Sequence, residues 1–197
     1  VQLLAEGGWL RWCVPREYGG KHESLDVLSL CLIRETLARY DALADFSFAM
    51  QGLGSGAISL YGNPEQKQNI LEEVSAGRMI AGFALSEPDA GSDVAAMSSK
   101  AFSTTEGWKV NGEKSWISNG GIADYYTLFA KTSDQPGSGG ISAFLLEADN
   151  PGLSIAERQE VMAPHPLARL QLKDAELSRQ ALLGEEGKGF GIAMATL

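Results

Sequence analysis

Cysteine and histidine are scarce, two of each in 197 residues. Cys13 and Cys31 show no CxxC spacing, which excludes a disulfide scaffold and a cysteine-based zinc site and fits a reducing compartment. His22 and His165 have no acidic residue, cysteine or second histidine at metal-ligand spacing, so a structural or solvent-exposed role is the reading for each and no metal is expected. Basic residues are few as well: 16 Lys and Arg against 25 Asp and Glu leave a formal charge of -9. That argues against a nucleic-acid partner, which needs clustered cations, yet backbone N–H groups could still hold an anionic ligand. No apolar run approaches the ~18 residues of a membrane span. The most apolar stretch, LSLCLIRETLARY, is broken by Arg34 and Glu35. No signal peptide is visible, and a cytoplasmic location is expected. Because the chain opens on Val1 within helix-like sequence, it reads as a fragment. The mitochondrial matrix is the alternative, should a targeting segment precede it.

What remains is an ordinary globular composition, 44% hydrophobic and 21% charged, long enough for one domain or two small ones. Residues 1–77 read as helical. Leu25, Leu28, Leu32 and Leu37 fall near helical spacing, with Leu30, Cys31 and Ile33 adding apolar side chains around the circumference, which predicts a helix buried on most sides. Asp45 to Tyr61 is rich in small residues that permit close packing. Asn63-Pro64-Glu65-Gln66 predicts a helix start, with Asn63 as N-cap, running to about Ser75 and stopped by Gly77.

Residues 78–183 read as short strands. Candidates are Met79 to Leu85, Ser98 to Ser103, Tyr125 to Lys131, Ile141 to Glu147, Leu153 to Ala156 and Ala168 to Leu172. Asn111-Gly112, flanked by Trp108-Lys109-Val110 and Ser115-Trp116-Ile117, predicts a hairpin. Strands without helical alternation imply a barrel or a sandwich and disfavour a doubly wound sheet. Residues 184–197 change again: Gly187-Lys188-Gly189 leads into FGIAMATL, the opening of a helix. A helix that short is marginal alone, so it is expected to belong to a further domain.

Two phosphate-binding patterns fail on context. Gly52-Leu53-Gly54-Ser55-Gly56-Ala57 fits GxGxxA but lies in helical surroundings with no preceding strand. Gly184 to Gly189 has Phe190 where a phosphate loop needs Ser or Thr. A hydrolase built on Ser92, Asp93 and His165 lacks the GxSxG elbow.

Three other segments carry chemistry. The stretch FALSEPDAGSDVA, Phe83 to Ala95, passes abruptly from apolar strand to a turn of small and acidic residues. Lys114 to Gly121 reads KSWISNGG, and Gly184 to Phe190 reads GEEGKGF. With the early segment from Gly8 to Gly20, containing VPREYGG, these motifs in this order resemble the acyl-CoA dehydrogenase family over nearly the whole chain. The resemblance implies several α and β domains: an N-terminal helical domain (1–77), a middle β-barrel-like domain (78–183), and the start of a C-terminal four-helix domain (184–197) whose remainder lies outside these residues.

It also implies FAD as cofactor. A flavin ring needs an apolar wall and a few aimed donors. Trp116 would supply the wall, although an isolated tryptophan is more often a core residue. By resemblance Ser118 would approach the flavin N5 edge, Leu85 and Ser86 the pyrimidine end, and Phe83 the ring system, with Ile117 beside Trp116. Gly91 would allow close backbone approach, and Ser92 would touch flavin and acyl-CoA substrate. Asp93 could cap the next turn, and Glu87 reads as a carboxylate that structures its loop. The implied reaction is α,β-dehydrogenation of an acyl-CoA thioester, with hydride passing to the flavin and electrons onward to an electron-transfer flavoprotein. The resemblance places the glutamate base beyond residue 197, and implies a homodimer or homotetramer. Rival readings are a flavin oxidase or monooxygenase of the same superfamily, and a flavin-free binding module.

Overall fold

A run of helices precedes a single β-sheet in the computed structural model, which describes residues 1–163 and 165–197. The helices are α1 (Gln2–Glu6), α2 (Val27–Tyr40), α3 (Ala42–Tyr61) and α4 (Pro64–Ser75). α4 begins as its sequence predicts. The Asn63 side chain accepts from the Gln66 backbone N–H while the Gln66 side chain accepts from the Asn63 N–H, a reciprocal cap that satisfies two otherwise unpaired donors. Gln66 also donates to the Gln180 and Leu182 carbonyls, at 2.6 and 3.1 Å, fastening the helix to the far end of the sheet.

Two helical expectations are corrected. Residues 7–26 form two 3₁₀ turns, Leu10–Trp12 and Arg16–Tyr18, rather than continuous helix, although Leu10, Cys13, Val14 and Tyr18 still enter the core. α2 is not buried on most sides. Only Ile33 is buried, while Leu28 and Leu32 stand 68% and 54% exposed, because the helix rests on α3 along one line only. An Arg34–Asp45 ion pair at 2.9 Å marks that line.

The strands are β1 (Ala81–Ala84), β2 (Lys100–Ser103), β3 (Gly107–Ser118), β4 (Tyr125–Lys131), β5 (Ile141–Glu147), β6 (Leu153–Arg158), β7 (Leu167–Ser178) and β8 (Leu182–Leu183). They form one sheet in the order β6-β7-β3-β2-β4-β5-β8, with β1 also paired to β4. The sheet curls round its own core: Trp108 of β3 meets Phe144 of β5 edge-on at 5.4 Å, although neither strand pairs with the other. The opposite face of β4 and β5 carries Tyr125, Phe129, Ile141 and Ala143, which pack with the helices in a second core. Each large apolar side chain buried there contributes roughly 1.5–3 kcal/mol.

The hairpin expected at Asn111-Gly112 is absent. Both residues lie inside β3, a twelve-residue strand whose register against β7 shifts between Val110 and Gly112 and again between Lys114 and Ile117. The dipeptide serves a bulge, and glycine is required because a Cβ there would stand 2.1 Å from the Ser99 hydroxyl. The glycine series in α3 is likewise a packing device. A Cβ on Gly54 would lie 2.4 Å from that of Ala81, so its absence lets the helix sit directly on β1. Gln51 completes that seam: its amide donates to the Met79 carbonyl and accepts from the Ala81 N–H.

One topological feature positions the site. β1 and β2 both pair in parallel with β4, Ala84 facing Leu128 and Lys100 facing Lys131. The chain therefore advances sixteen positions from Ala84 to Lys100 where β4 advances by three. β1 and β2 are two halves of one strand position, and the segment between them is thrown out of the sheet as a loop. Among the described residues, no helix is long and apolar enough to cross a membrane.

Candidate functional site

β3 runs beside both halves of the interrupted strand. It pairs with β2 through its first residues, and three hydrogen bonds tie its second half to β1 and the loop start: Ser115 N–H to the Ser86 carbonyl at 2.9 Å, Lys114 Nζ to the Leu85 carbonyl at 3.0 Å, and the Asn119 side-chain amide to the Ala81 carbonyl at 2.8 Å. The loop thus leaves the sheet directly beside Trp116. Between them lies a cleft of about 380 Å³, within the usual size range of small-molecule sites.

Seven of the eight residues expected at the site line this cleft: Phe83, Leu85, Ser86, Gly91, Ser92, Trp116 and Ile117. The eighth, Ser118, is half-buried at the end of β3 opposite Leu167 and does not line it. Phe83, Leu85 and Ile117 are almost wholly buried and form an apolar floor. Gly91 and Ser92 are exposed on the loop, and a Cβ added at Gly91 would meet nothing within 4 Å, so its backbone is open to a ligand.

Trp116 is not a core tryptophan. It is 58% exposed and its backbone is left-handed, φ 60°. For a bulky residue that conformation costs about 1–2 kcal/mol, and it arises where β3 slips register against β7. The Trp116 N–H donates to Gln159 Oε1 at 2.9 Å, and Gln159 Nε2 donates to the Ser115 hydroxyl at 3.3 Å. An exposed aromatic face held in a strained backbone above an apolar floor fits a flat ligand ring.

Five cleft residues lie outside the sequence expectations: Val94 and Ala95 on the loop, and Phe190, Met194 and Leu197 from α5 (Gly189–Thr196) and its end. The apolar periodicity of FGIAMATL signals a helix but not where it docks. Asp93 also lines the cleft and, contrary to expectation, its side chain makes no capping bond to the turn at Val94–Ala96.

A further residue outside the sequence expectations is Lys114. It is fully buried, and its ammonium lies 2.8 Å from Glu87 Oε1, itself 2% exposed. Glu87 further accepts from the Ser98 N–H and hydroxyl and from the Ser99 N–H, which bears out its loop-structuring role. Burial alone would raise the Glu87 carboxyl. The adjacent Lys114 charge and the serine donors outweigh it and bring the pKa down to about 2. A lysine in the middle of a strand normally signals a solvent face, so only its partner reveals this one.

A larger hollow of about 750 Å³ lies between α4 and the ends of β4, β5 and β7. Two of its polar groups are engaged locally: Asp124 accepts from the Ile80 N–H, and Asn150 donates to the Glu176 carbonyl.

Comparison with known proteins agrees with this arrangement. The family model of the acyl-CoA dehydrogenase N-terminal domain matches residues 1–78, and that of the acyl-CoA dehydrogenase middle domain matches residues 82–175. A short-chain-specific acyl-CoA dehydrogenase of Megasphaera elsdenii is 38% identical over 186 residues, 92% of this chain and 49% of that protein. The solved structure of butyryl-CoA dehydrogenase from Megasphaera elsdenii superposes with a TM-score of 0.92 at 34% identity, covering 99% of this chain and 52% of that one. An FAD complex of PigA gives a TM-score of 0.92 at 31% identity, with the same coverage. The chain spans about half the length of the curated relatives it matches. From its helices through its interrupted sheet, this chain belongs to the acyl-CoA dehydrogenase family.

Proposed function

We propose that the protein containing these residues is an FAD-dependent acyl-CoA dehydrogenase of fatty-acid oxidation, acting on an acyl-CoA thioester. The observation that carries the reading is the cleft itself, where Trp116 and the exit of β1 face one another. The residues present fit a flavin: an exposed indole, an apolar floor of Phe83, Leu85 and Ile117, hydroxyls on Ser86 and Ser92, and open backbone at Gly91. When bound, the flavin supplies the hydride acceptor for oxidation of the substrate's α,β bond.

The chain's own contributions are binding and orientation. Trp116 packs against the ring face, and the Ser86 and Ser92 hydroxyls and loop N–H groups satisfy polar edges that would otherwise be buried unpaired. Ser92, exposed at the loop tip, takes the acyl-CoA side. Ser118, which does not line the cleft, is assigned to the flavin N5 edge. Phe190 and Met194 close the cleft on the α5 side and exclude water. Among the described residues Asp93 is the one carboxylate lining the cleft, and it is solvent-exposed on the loop. The α-proton is assigned to a glutamate C-terminal to residue 197. Residues 1–197 alone then bind flavin weakly and turn nothing over. The remaining assignments are an electron-transfer flavoprotein as acceptor, a homodimer or homotetramer, and a cytoplasmic location.

The test is anaerobic titration of the full-length flavoprotein with acyl-CoA thioesters of graded chain length, following flavin absorbance. Bleaching by a subset of thioesters is expected. A colourless protein that takes up no FAD overturns the cofactor assignment, and bleaching by no thioester overturns the reaction. Full activity of residues 1–197 alone overturns the placement of the base.

A further inference from the structure

The loop that carries Ser86, Gly91 and Ser92 leaves the sheet and returns to it, and its neck is closed by a single buried ion pair. Glu87, three residues past the end of β1, accepts from Ser98 and Ser99, the last residues before β2. One carboxylate therefore spans the start and the end of the excursion. Lys114, two residues before Trp116 on β3, donates to that carboxylate at 2.8 Å and to the Leu85 carbonyl at 3.0 Å. Both side chains are shut off from solvent, 0% and 2% exposed.

Nothing about closing a turn calls for a buried charge. The turn at its start already carries a reciprocal pair of backbone bonds between Glu87 and Ala90, each 3.1 Å. Exchanging a buried pair for apolar side chains is frequently neutral or stabilising, so stability alone does not account for keeping one. What the pair adds to the backbone bond from Ser115 to Ser86 is a side-chain tie between the two walls of the cleft, made by two directional bonds from one ammonium.

We propose that Lys114 and Glu87 are positioning residues of the cleft, clamping the neck of the loop to the Trp116 strand so that Ser86 and Ser92 face the indole at the spacing a flavin ring requires. The inference rests on the flavin reading above but concerns residues that touch neither cofactor nor substrate. Because the clamp acts through placement, its loss shows in cofactor affinity and in the asymmetry around Trp116, beyond any effect on folding.

The experiment compares full-length wild type with Lys114→Met/Glu87→Leu, which removes both charges together, and with Glu87→Asp, which keeps the charge but withdraws it by one methylene. Three quantities are read: the unfolding midpoint of the flavin-free protein, the FAD dissociation constant by fluorescence titration, and the near-ultraviolet circular dichroism of the tryptophans. The double variant is expected to unfold near the wild-type midpoint, yet to bind FAD about tenfold more weakly with an altered tryptophan signal. Glu87→Asp, which cannot reach Lys114 and both serines at once, is expected to weaken FAD in the same direction while remaining folded. Wild-type FAD affinity in either folded variant overturns the inference and leaves the pair a purely structural contact. Failure of wild type itself to bind FAD overturns instead the functional reading on which it stands.

Discussion

Trp116 is the residue at which local cost and function meet. Its left-handed backbone is paired through the N–H to Gln159, and its ring is turned outward rather than packed. Replacement by glycine removes the steric penalty of about 1–2 kcal/mol and adds a chain-entropy cost of about 0.5–1 kcal/mol. Trp116→Gly is therefore expected to change stability by no more than about 1 kcal/mol in chemical denaturation while weakening FAD at least about tenfold. A loss of more than about 3 kcal/mol would mark the indole as a packing residue and remove it from the cleft wall. Gln159→Ala tests the support behind it. One hydrogen-bond acceptor to a solvent-reachable N–H is worth about 0.5–1.5 kcal/mol, so a small stability loss accompanied by a shift in tryptophan emission is expected.

At the scale of elements, the seam between α3 and β1 is the tightest contact between the helices and the sheet. A Cβ at Gly54 meets Ala81, its neighbour Gln51 hydrogen-bonds across the seam, and the Thr127 hydroxyl donates to the Gly54 carbonyl. Gly54→Val is expected to destabilise by about 1–3 kcal/mol or more through overpacking, and because β1 leads into the cleft loop, FAD affinity should fall with it. Thermal unfolding and flavin titration on one preparation check both. A fully stable valine variant would show that the helix is free to lift.

The elements also separate what local sequence encodes from what it does not. α4 was readable because Asn63, Pro64 and Gln66 satisfy their own backbone within one turn. β4 and β5 were readable as apolar runs between turn residues. Asn111-Gly112 misled because a strand bulge and a hairpin turn use the same small residues, and only the approach of Ser99 to Gly112, thirteen residues later, decides between them. The apolar circumference of α2 misled because burial depends on neighbours, and α2 packs mainly on α3, leaving Ile33 as its one buried residue. Seven of the eight expected site residues lie together because they belong to two short motifs on adjacent strands. Lys114 and the α5 side chains escaped notice since their partners lie far off in sequence and are joined only by the fold.

For the molecule as a whole, acid is the condition that tests the buried pair. The folded pKa of Glu87, about 2, lies below its ordinary value of 4.5, so its contribution to stability is fully present above about pH 4.5 and is lost as pH falls towards 2. In that window the unfolded chain takes up a proton that the native protein refuses. A second effect acts on every carboxylate together. The charge of -9 at pH 7 shrinks towards zero near the isoelectric point of about 4.7, relieving self-repulsion, and becomes positive below it. The two cannot be separated in wild type alone. They separate against Lys114→Met/Glu87→Leu, which leaves net charge at neutral pH unchanged and has no titrating group at the neck of the loop. Between pH 5 and 3 the double variant is expected to lose about 2 kcal/mol less stability than wild type, measured by urea unfolding at each pH. Parallel losses would mean that the Glu87 proton equilibrium is the same in both states. That in turn would mean the carboxylate is not held as a charge against Lys114, and the clamp would lose its electrostatic basis.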